Sequence, residues 1–386
     1  MAPLKIPDMF KVSPMKITMT TFNVNQSNYS VSNENLLWKE NENMAKTLIP
    51  AMAFVGVIMV IGFFGNVLVC YIFTRRIPLS VNTFLLVILA ALDLVNCTLN
   101  MPFEIIDLRY FYVFESDIAC KIFRFLVAFP NIDSTFVLLI ITVDRYKRVC
   151  RPMSIQMTFK DARKYVAIAT AAAILLSLPA VLIYGTETVK TSMKELYGQD
   201  CKSTDKITGT AFRFFYQVAI GLGAMLISAV LCYIYVHIWR EIRTHEINIR
   251  KKTQFVLMDT SNSTKHSTTG PSPGHQSEDI PNEIKGRPTS RKRITFIAFT
   301  VTFVFMLSYL PLAVIMAVRS VPEPKWPLDG LLSRILIRFC YLNSMTNPFV
   351  YGFMSKRFRR ECFKVFVPKC LVCYDHTLEN TRAHGF

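Results

Sequence analysis

The chain has 386 residues, of which 52% are hydrophobic and 18% charged, and its mean hydropathy is +0.32. That is too apolar for an ordinary soluble domain, in which about a quarter of the residues are charged. The net charge of +17 would point to nucleic acid in a soluble protein. Here the basic residues cluster between apolar runs, where they report topology instead, and no nucleic-acid partner is expected.

Residues 1–47 are polar and hold no apolar signal-peptide core, so they read as an extracellular tail. Asn25-Gln-Ser27 and Asn28-Tyr-Ser30 are sequons, making Asn25 and Asn28 the expected glycosylation sites. Seven apolar runs follow, at about 48–74, 81–106, 119–143, 165–183, 212–238, 294–318 and 331–353. Most reach the ~20 residues a spanning helix needs. Seven spans put the termini on opposite sides. With the N-terminus outside, the inner loops are strongly basic (Arg75 and Arg76; Lys147, Arg148, Arg151, Lys160, Arg163 and Lys164; Arg240, Arg243 and Arg291-Lys292-Arg293), whereas the outer loops mix both signs.

Cys120 and Arg145 bracket the third run, 25 residues apart. As a helix that is roughly 37 Å, longer than a hydrocarbon core of about 30 Å. In this topology only Cys120 and Cys201 face outside, so a disulfide between them is the natural expectation. The stretch at about 243–290 is rich in Ser, Thr, Pro and Gly and reads as a disordered inner linker. After the seventh run, residues 355–366 place Phe358, Cys362, Phe363 and Phe366 near one helical face, with Lys356, Arg359, Arg360 and Lys364 elsewhere. This is a short basic amphipathic helix suited to membrane lipid, beside candidate palmitoylation sites Cys362, Cys370 and Cys373. Cys370-Leu-Val-Cys373 has no second pair at zinc spacing, so no cysteine metal site is expected.

The ordered motifs on these spans resemble the rhodopsin-like (class A) G-protein-coupled receptors, over nearly the whole chain. They are Gly65-Asn66-Val67, Leu89-Ala-Ala-Leu-Asp93, Cys120, Asp144-Arg145-Tyr146, Pro152, Phe305, Pro311, Asn347-Pro348-Phe349-Val350-Tyr351 and Phe358. The resemblance implies an all-α membrane protein: a seven-transmembrane helix bundle with a short amphipathic helix after the seventh span. The expected division is a glycosylated tail at 1–47, a receptor domain at 48–353, and the amphipathic helix with a cytoplasmic tail at 354–386.

A charged group at mid-span costs about 2.5–3.5 kcal/mol even on lenient scales, so Asp93 needs partners. By resemblance these are Asn66, Ser134, Asn343, Ser344 and Asn347, around an allosteric sodium ion. No other cofactor is expected. Arg145 would pair with Asp144 at rest, beside Tyr146, and meet a heterotrimeric G protein when the sixth span swings outward. Pro311 and Pro348 would act as pivots, Tyr351 would turn toward Arg145, and Met153 would be offered to the G protein. Receptor kinases and arrestin are the further partners such a receptor implies.

Several residues depart from the family pattern. The fourth-span tryptophan is absent, Ser308-Tyr309-Leu310-Pro311 replaces the usual Cys-Trp-x-Pro, and Met225 stands near the missing fifth-span proline. Tyr309 is the expected toggle, Phe305 is retained, and Tyr233 is the expected fifth-span tyrosine. Thr135 replaces the usual isoleucine, and Arg291-Lys292-Arg293 excludes an acidic lock on Arg145 at that place. The resting state should therefore be held less by charge, with basal activity as a consequence. Asp133 lies near mid-span, about 100° around the helix from Ser134, with no partner evident from sequence.

Where amine receptors carry an aspartate this chain has Val127, and the seventh span has no lysine for retinal. Met101-Pro102-Phe103-Glu104 resembles receptors for cholecystokinin, orexin and neuropeptide Y. The loop at about 185–211 has the length for a β-hairpin lid. Charges Glu104, Asp107, Arg109, Lys121, Arg124, Arg319 and Arg334 ring the expected mouth. Glu104, Arg124, Val127, Arg319 and Arg334 are thus the candidate ligand contacts, and an extracellular peptide the expected ligand. A lipid or other non-amine small molecule is the alternative. A transporter or channel is disfavoured because no inverted repeat is evident, and no catalytic constellation points to an enzyme. A multi-pass plasma-membrane receptor with its N-terminus outside is the reading that results.

Overall fold

The computed structural model describes residues 24–193, 195–203, 211–263, 283–319 and 330–366. The elements are helix α1 (Val24–Arg75), α2 (Val81–Val95), a π-helical turn (Asn96–Asn100), α3 (Met101–Arg109), α4 (Asp117–Cys150), α5 (Phe159–Ile183), strands β1 (Tyr184–Lys190) and β2 (Tyr197–Ser203), α6 (Ala211–Ser263), α7 (Glu283–Arg319), α8 (Leu331–Ile337), a 3-10 turn (Arg338–Tyr341), α9 (Leu342–Met354) and α10 (Lys356–Phe366). Among the described residues, six helices are long and apolar enough to cross a membrane: Asn33–Arg75, Val81–Arg109, Asp117–Cys150, Phe159–Ile183, Phe215–Lys251 and Arg293–Ile315. The seventh apolar run is not one helix. It is broken at the 3-10 turn, where Arg338 and Tyr341 turn their polar groups toward Glu104.

Local signals set the helix starts. Ser80 and Thr83 form a capping box on α2, and Thr158 and Asp161 form one on α5. Ser116 caps α4 by accepting from the Ala119 amide. The second span turns π-helical just before Pro102, which lacks the N–H that a regular turn would use. Asn96 and Asn100, on this turn, are both buried.

Helix α4 is the axis. It packs on α2, α5, α6, α7 and β1. The main core lies toward its Arg145 end and joins Leu85, Leu89, Leu138, Ile141, Val301 and Phe305. Gly65 allows α1 to touch α9: a Cβ there would lie 2.7 Å from the Pro348 ring.

Helices α1, α6 and α7 run beyond the apolar spans. Helix α1 starts at Val24, so the tail is helical well before residue 48, and 52 residues make it roughly 78 Å long. Its early part is anchored by buried Asn41, which donates to the Arg109 carbonyl at 3.1 Å and accepts from the Tyr112 amide at 3.0 Å. Asn25 and Asn28 lie on this helix, with side chains outside the described residues. The linker expected at 243–290 is helical at both ends, because α6 runs on to Ser263 and α7 begins at Glu283. Residues 264–282 lie outside the described residues, as do Cys370 and Cys373.

Candidate functional site

Three polar layers lie along the bundle. At the disulfide end, Cys120 on α4 is bonded to Cys201 on β2. The antiparallel hairpin pairs Thr186 with Cys201 and Thr188 with Gln199, so the disulfide staples a β-ribbon across that end. Phe114, Phe123 and the two half-cystines form a small core beneath it, with Val127 packed alongside.

Of the charges expected to ring an open mouth, Glu104 and Asp107 are buried. Glu104 is 7% exposed and pairs with Arg338 at 2.5 Å, while Tyr341 donates to the same carboxylate at 3.3 Å. Arg124 donates to the Cys201 carbonyl, faces Asp107 at 3.6 Å, and lies over the rings of Phe123 and Tyr184. Arg109 pairs with Glu42 on α1, and Lys121 with Asp117 at 2.5 Å. Arg334 stands 4.5 Å from the Phe111 ring centroid. Arg319 ends α7, and its side chain lies outside the described residues. Arg338 and Asp107 therefore belong to the same layer as Glu104 and Arg124. No sequence pattern picks out Arg338, because its partner is 234 residues away.

The middle layer is centred on Asp93, which is fully buried. It accepts from Ser344 Oγ at 2.8 Å and Asn347 Nδ2 at 2.7 Å. Asn66 Nδ2 donates to the Ser344 carbonyl at 2.7 Å, across the close approach at Gly65. Among the described residues, the buried oxygens Ser134 Oγ, Asn343 Oδ1 and Asn347 Oδ1 have no hydrogen-bond partner. A carboxylate with hydroxyl and amide oxygens is the donor type that a hard cation takes. The π-turn extends this layer: Asn96 Nδ2 donates to Ser344 Oγ at 3.3 Å, and Asn100 Nδ2 to Asn96 Oδ1 at 2.6 Å and the Leu126 carbonyl at 2.9 Å. Asn96 and Asn100 lie three and seven residues after Asp93, the spacing of one helical face, so the sequence carries a signal for them.

Two departures from the family pattern acquire partners here. The Tyr309 hydroxyl donates to Asn131 Oδ1 on α4 at 2.8 Å, with its ring 4.7 Å from that of Phe305. Asp133 accepts from Thr170 Oγ1 on α5 at 2.9 Å, so it ties the third span to the fourth.

At the other end Arg145 is 5% exposed and pairs with Asp144. Arg148 Nε also reaches Asp144, at 2.9 and 3.0 Å. Tyr146 is half-buried beside them. The expectation for Tyr233 is corrected. Tyr233 is 66% exposed, and Tyr235, about 200° around α6, is the buried tyrosine. The Tyr235 hydroxyl bonds Thr142 on α4 and Thr302 on α7, each at 3.1 Å. Arg293 Nε donates to the Met354 carbonyl at the end of α9. Tyr351 is buried against Phe73 and Phe358. Helix α7 is continuous through Pro311, as α9 is through Pro348. Cavities of about 270 and 600 Å³ open among these groups, one lined by Arg145, Arg148 and Pro152, the other by Arg293, Tyr351, Lys356 and Arg357. Met153, in the loop after α4, is 99% exposed. On α10, Lys364 donates to Glu361 at 3.1 Å and holds that carboxyl below its usual range, while Cys362 is half-buried against the core.

A family model described as "7 transmembrane receptor (rhodopsin family)" matches residues 65–351, from the glycine before Asn66 to Tyr351. The chain belongs to that family. As a member of the rhodopsin family it is a multi-pass membrane protein. It is 26% identical to a Gq-coupled rhodopsin of Mizuhopecten yessoensis, over 81% of this chain and 58% of that one. It is 25% identical to nematocin receptor 2 of Caenorhabditis elegans, over 76% of this chain and 74% of the relative. It is also 25% identical to the somatostatin receptor type 3 of Mus musculus, over 79% and 65% respectively. Against the rhodopsin, the chain thus spans somewhat over half the length of its relative.

Proposed function

We propose that this rhodopsin-family chain is a plasma-membrane receptor for a neuropeptide or peptide hormone, with the disulfide end outside and the Arg145 end coupled to a heterotrimeric G protein. The observation that carries the reading is the repeated likeness to receptors named for peptides, including nematocin and somatostatin, over three quarters of the chain. Val127 supplies no carboxylate for an amine, and residues 331–353 contain no lysine for retinal. The decisive test is a library of neuropeptides applied to cells expressing the chain, with calcium and cAMP as readouts. A peptide response is expected. A response to lipids alone overturns it.

Activation is a population shift: agonist binds better to the state in which α7 has moved outward at its Arg145 end. Leaving rest would break the bonds of Tyr235 to Thr302 and of Arg293 to the Met354 carbonyl. Arg145 and Met153 would then meet the G protein, with Tyr351 leaving its contact with Phe73. Asp93, Ser134, Asn343, Ser344 and Asn347 would hold a sodium ion, whose charge would stabilise the buried carboxylate at rest. Sodium should lower agonist affinity, and Asp93→Asn should remove that dependence. Unchanged sodium sensitivity in the variant would count against the ion. Glycosylation at Asn25 and Asn28, lipidation near α10, and engagement by receptor kinases and arrestin complete the reading.

A further inference from the structure

A groove of about 370 Å³ lies on the outside of the bundle between α4 and α5. Its wall is apolar, with Phe136, Ile140 and Val143 from α4 facing Ile168, Ala169 and Ala172 from α5. Ala169 and Ala172 are what make it concave, since larger side chains there would fill the space. Both helices are apolar enough to cross a membrane. A hollow on their outer surface is therefore bathed in hydrocarbon, and water cannot fill it without losing hydrogen bonds.

The dimensions match one acyl chain. Phe136 and Lys147 are 11 residues apart, about 16 Å along a helix, which is half of a ~30 Å hydrocarbon core. At about 30 Å³ for a water-sized group the groove takes roughly a dozen such groups. Just beyond Phe136, the Thr170 to Asp133 hydrogen bond joins the two helices near mid-membrane and closes the far end. At the near end Lys147 and Tyr165 also line the groove, giving a cation and a hydroxyl at headgroup depth. Of the acids near Lys147, Asp161 accepts from the hydroxyl and amide of Thr158, at 2.8 and 3.0 Å, and Asp144 is paired with Arg145 and Arg148. Lys160, Arg163 and Lys164 add positive charge at the same level.

We propose that this groove is a binding site for one phospholipid with an anionic headgroup. One acyl chain lies between α4 and α5, and the headgroup phosphate and acid meet Lys147. Under the orientation proposed above, the site opens to the cytoplasmic leaflet, where anionic lipids are concentrated. Met157, which closes the loop side of the groove, is in the same inner loop as Met153. An occupied site would therefore steady the segment that presents Met153.

The test uses the purified full chain in detergent, with native mass spectrometry during titration with phosphatidylserine or phosphatidylcholine of the same acyl chains. The wild type should retain one phosphatidylserine about fivefold better than phosphatidylcholine, the effect of one basic residue near a headgroup. Lys147→Ala should erase that preference, while Lys356→Ala on α10 leaves it intact. Ala172→Phe should lower retention of both lipids, with thermal unfolding used to confirm that the variant is folded. Equal retention of the two lipids by the wild type overturns the proposal. So does a preference that survives Lys147→Ala, or displacement of the bound lipid by a sterol with no effect of Lys147→Ala. Lipid retention needs neither agonist nor G protein, so its failure is separable from failure of the peptide-receptor reading.

Discussion

Both ends of the bundle bury arginines, but they pair them differently. At the disulfide end the pairs cross between helices: Arg338, after α8, meets Glu104 on α3, and Arg124 on α4 meets Asp107 on α3 and the hairpin carbonyl of Cys201. At the other end Arg145 meets Asp144 beside it, and Arg148 one turn away meets the same acid. Those pairs satisfy charge without joining helices. Among the described residues, α4, α6 and α7 are held there through the neutral hydroxyls of Thr142, Tyr235 and Thr302. The first arrangement resists separation of helices, because pulling them apart strands a buried charge. The second lets helices part at the cost of hydrogen bonds, one of them from Arg293 to the Met354 carbonyl, with no ion pair between helices to break among the described residues. A molecule that must keep one end in register and open the other is well served by this division.

The largest expected effect breaks the clamped end. Glu104→Gln should cost about 3–5 kcal/mol, because it leaves Arg338 buried without its counter-charge. The double variant Glu104→Gln with Arg338→Met should recover much of that loss. Thermal unfolding of the purified receptor measures both, and equal damage from single and double variants would show that the pair is not the unit. Next, Asn41→Leu should cost about 2–3 kcal/mol, since the Arg109 carbonyl and the Tyr112 amide both lose a buried partner. Limited proteolysis should then find the segment before residue 48 released from the loop at 110–114.

Smaller effects belong to the opening end. Thr302→Val removes one of the two bonds to the Tyr235 hydroxyl, worth about 1 kcal/mol. It should raise agonist-independent signalling about fivefold, read as basal second-messenger level per receptor at the surface. Tyr233→Phe, by contrast, should leave signalling unchanged, because that side chain faces away from the bundle. Tyr309→Phe should be of similar size to Thr302→Val, through loss of the bond to Asn131. The sign of its effect on basal activity tells whether that bond is stronger at rest or in the active state.

Much of this protein is written in local order. Apolar runs longer than about 20 residues can only span or bury. The spacing of Asn66, Asp93, Arg145 and Asn347 along them, and the two cysteines outside them, required no coordinates to find. What escaped was the angular phase of the helices and the identity of distant partners. One residue is 100° of helix, so Tyr233 was favoured where Tyr235 is the one that turns inward. Asn96 and Asn100 share the face of Asp93, but their meeting with Ser344 and the Leu126 carbonyl depends on two other helices. Asp133 looked unexplained because its partner, Thr170, stands on another helix. Glu104 looked like a mouth charge because Arg338 is visible as its partner only once the second and seventh spans are adjacent. Hydropathy and motif order depend on neighbours along the chain, and these the sequence contains. Pairing and facing depend on neighbours in space, and those exist only after the helices have packed.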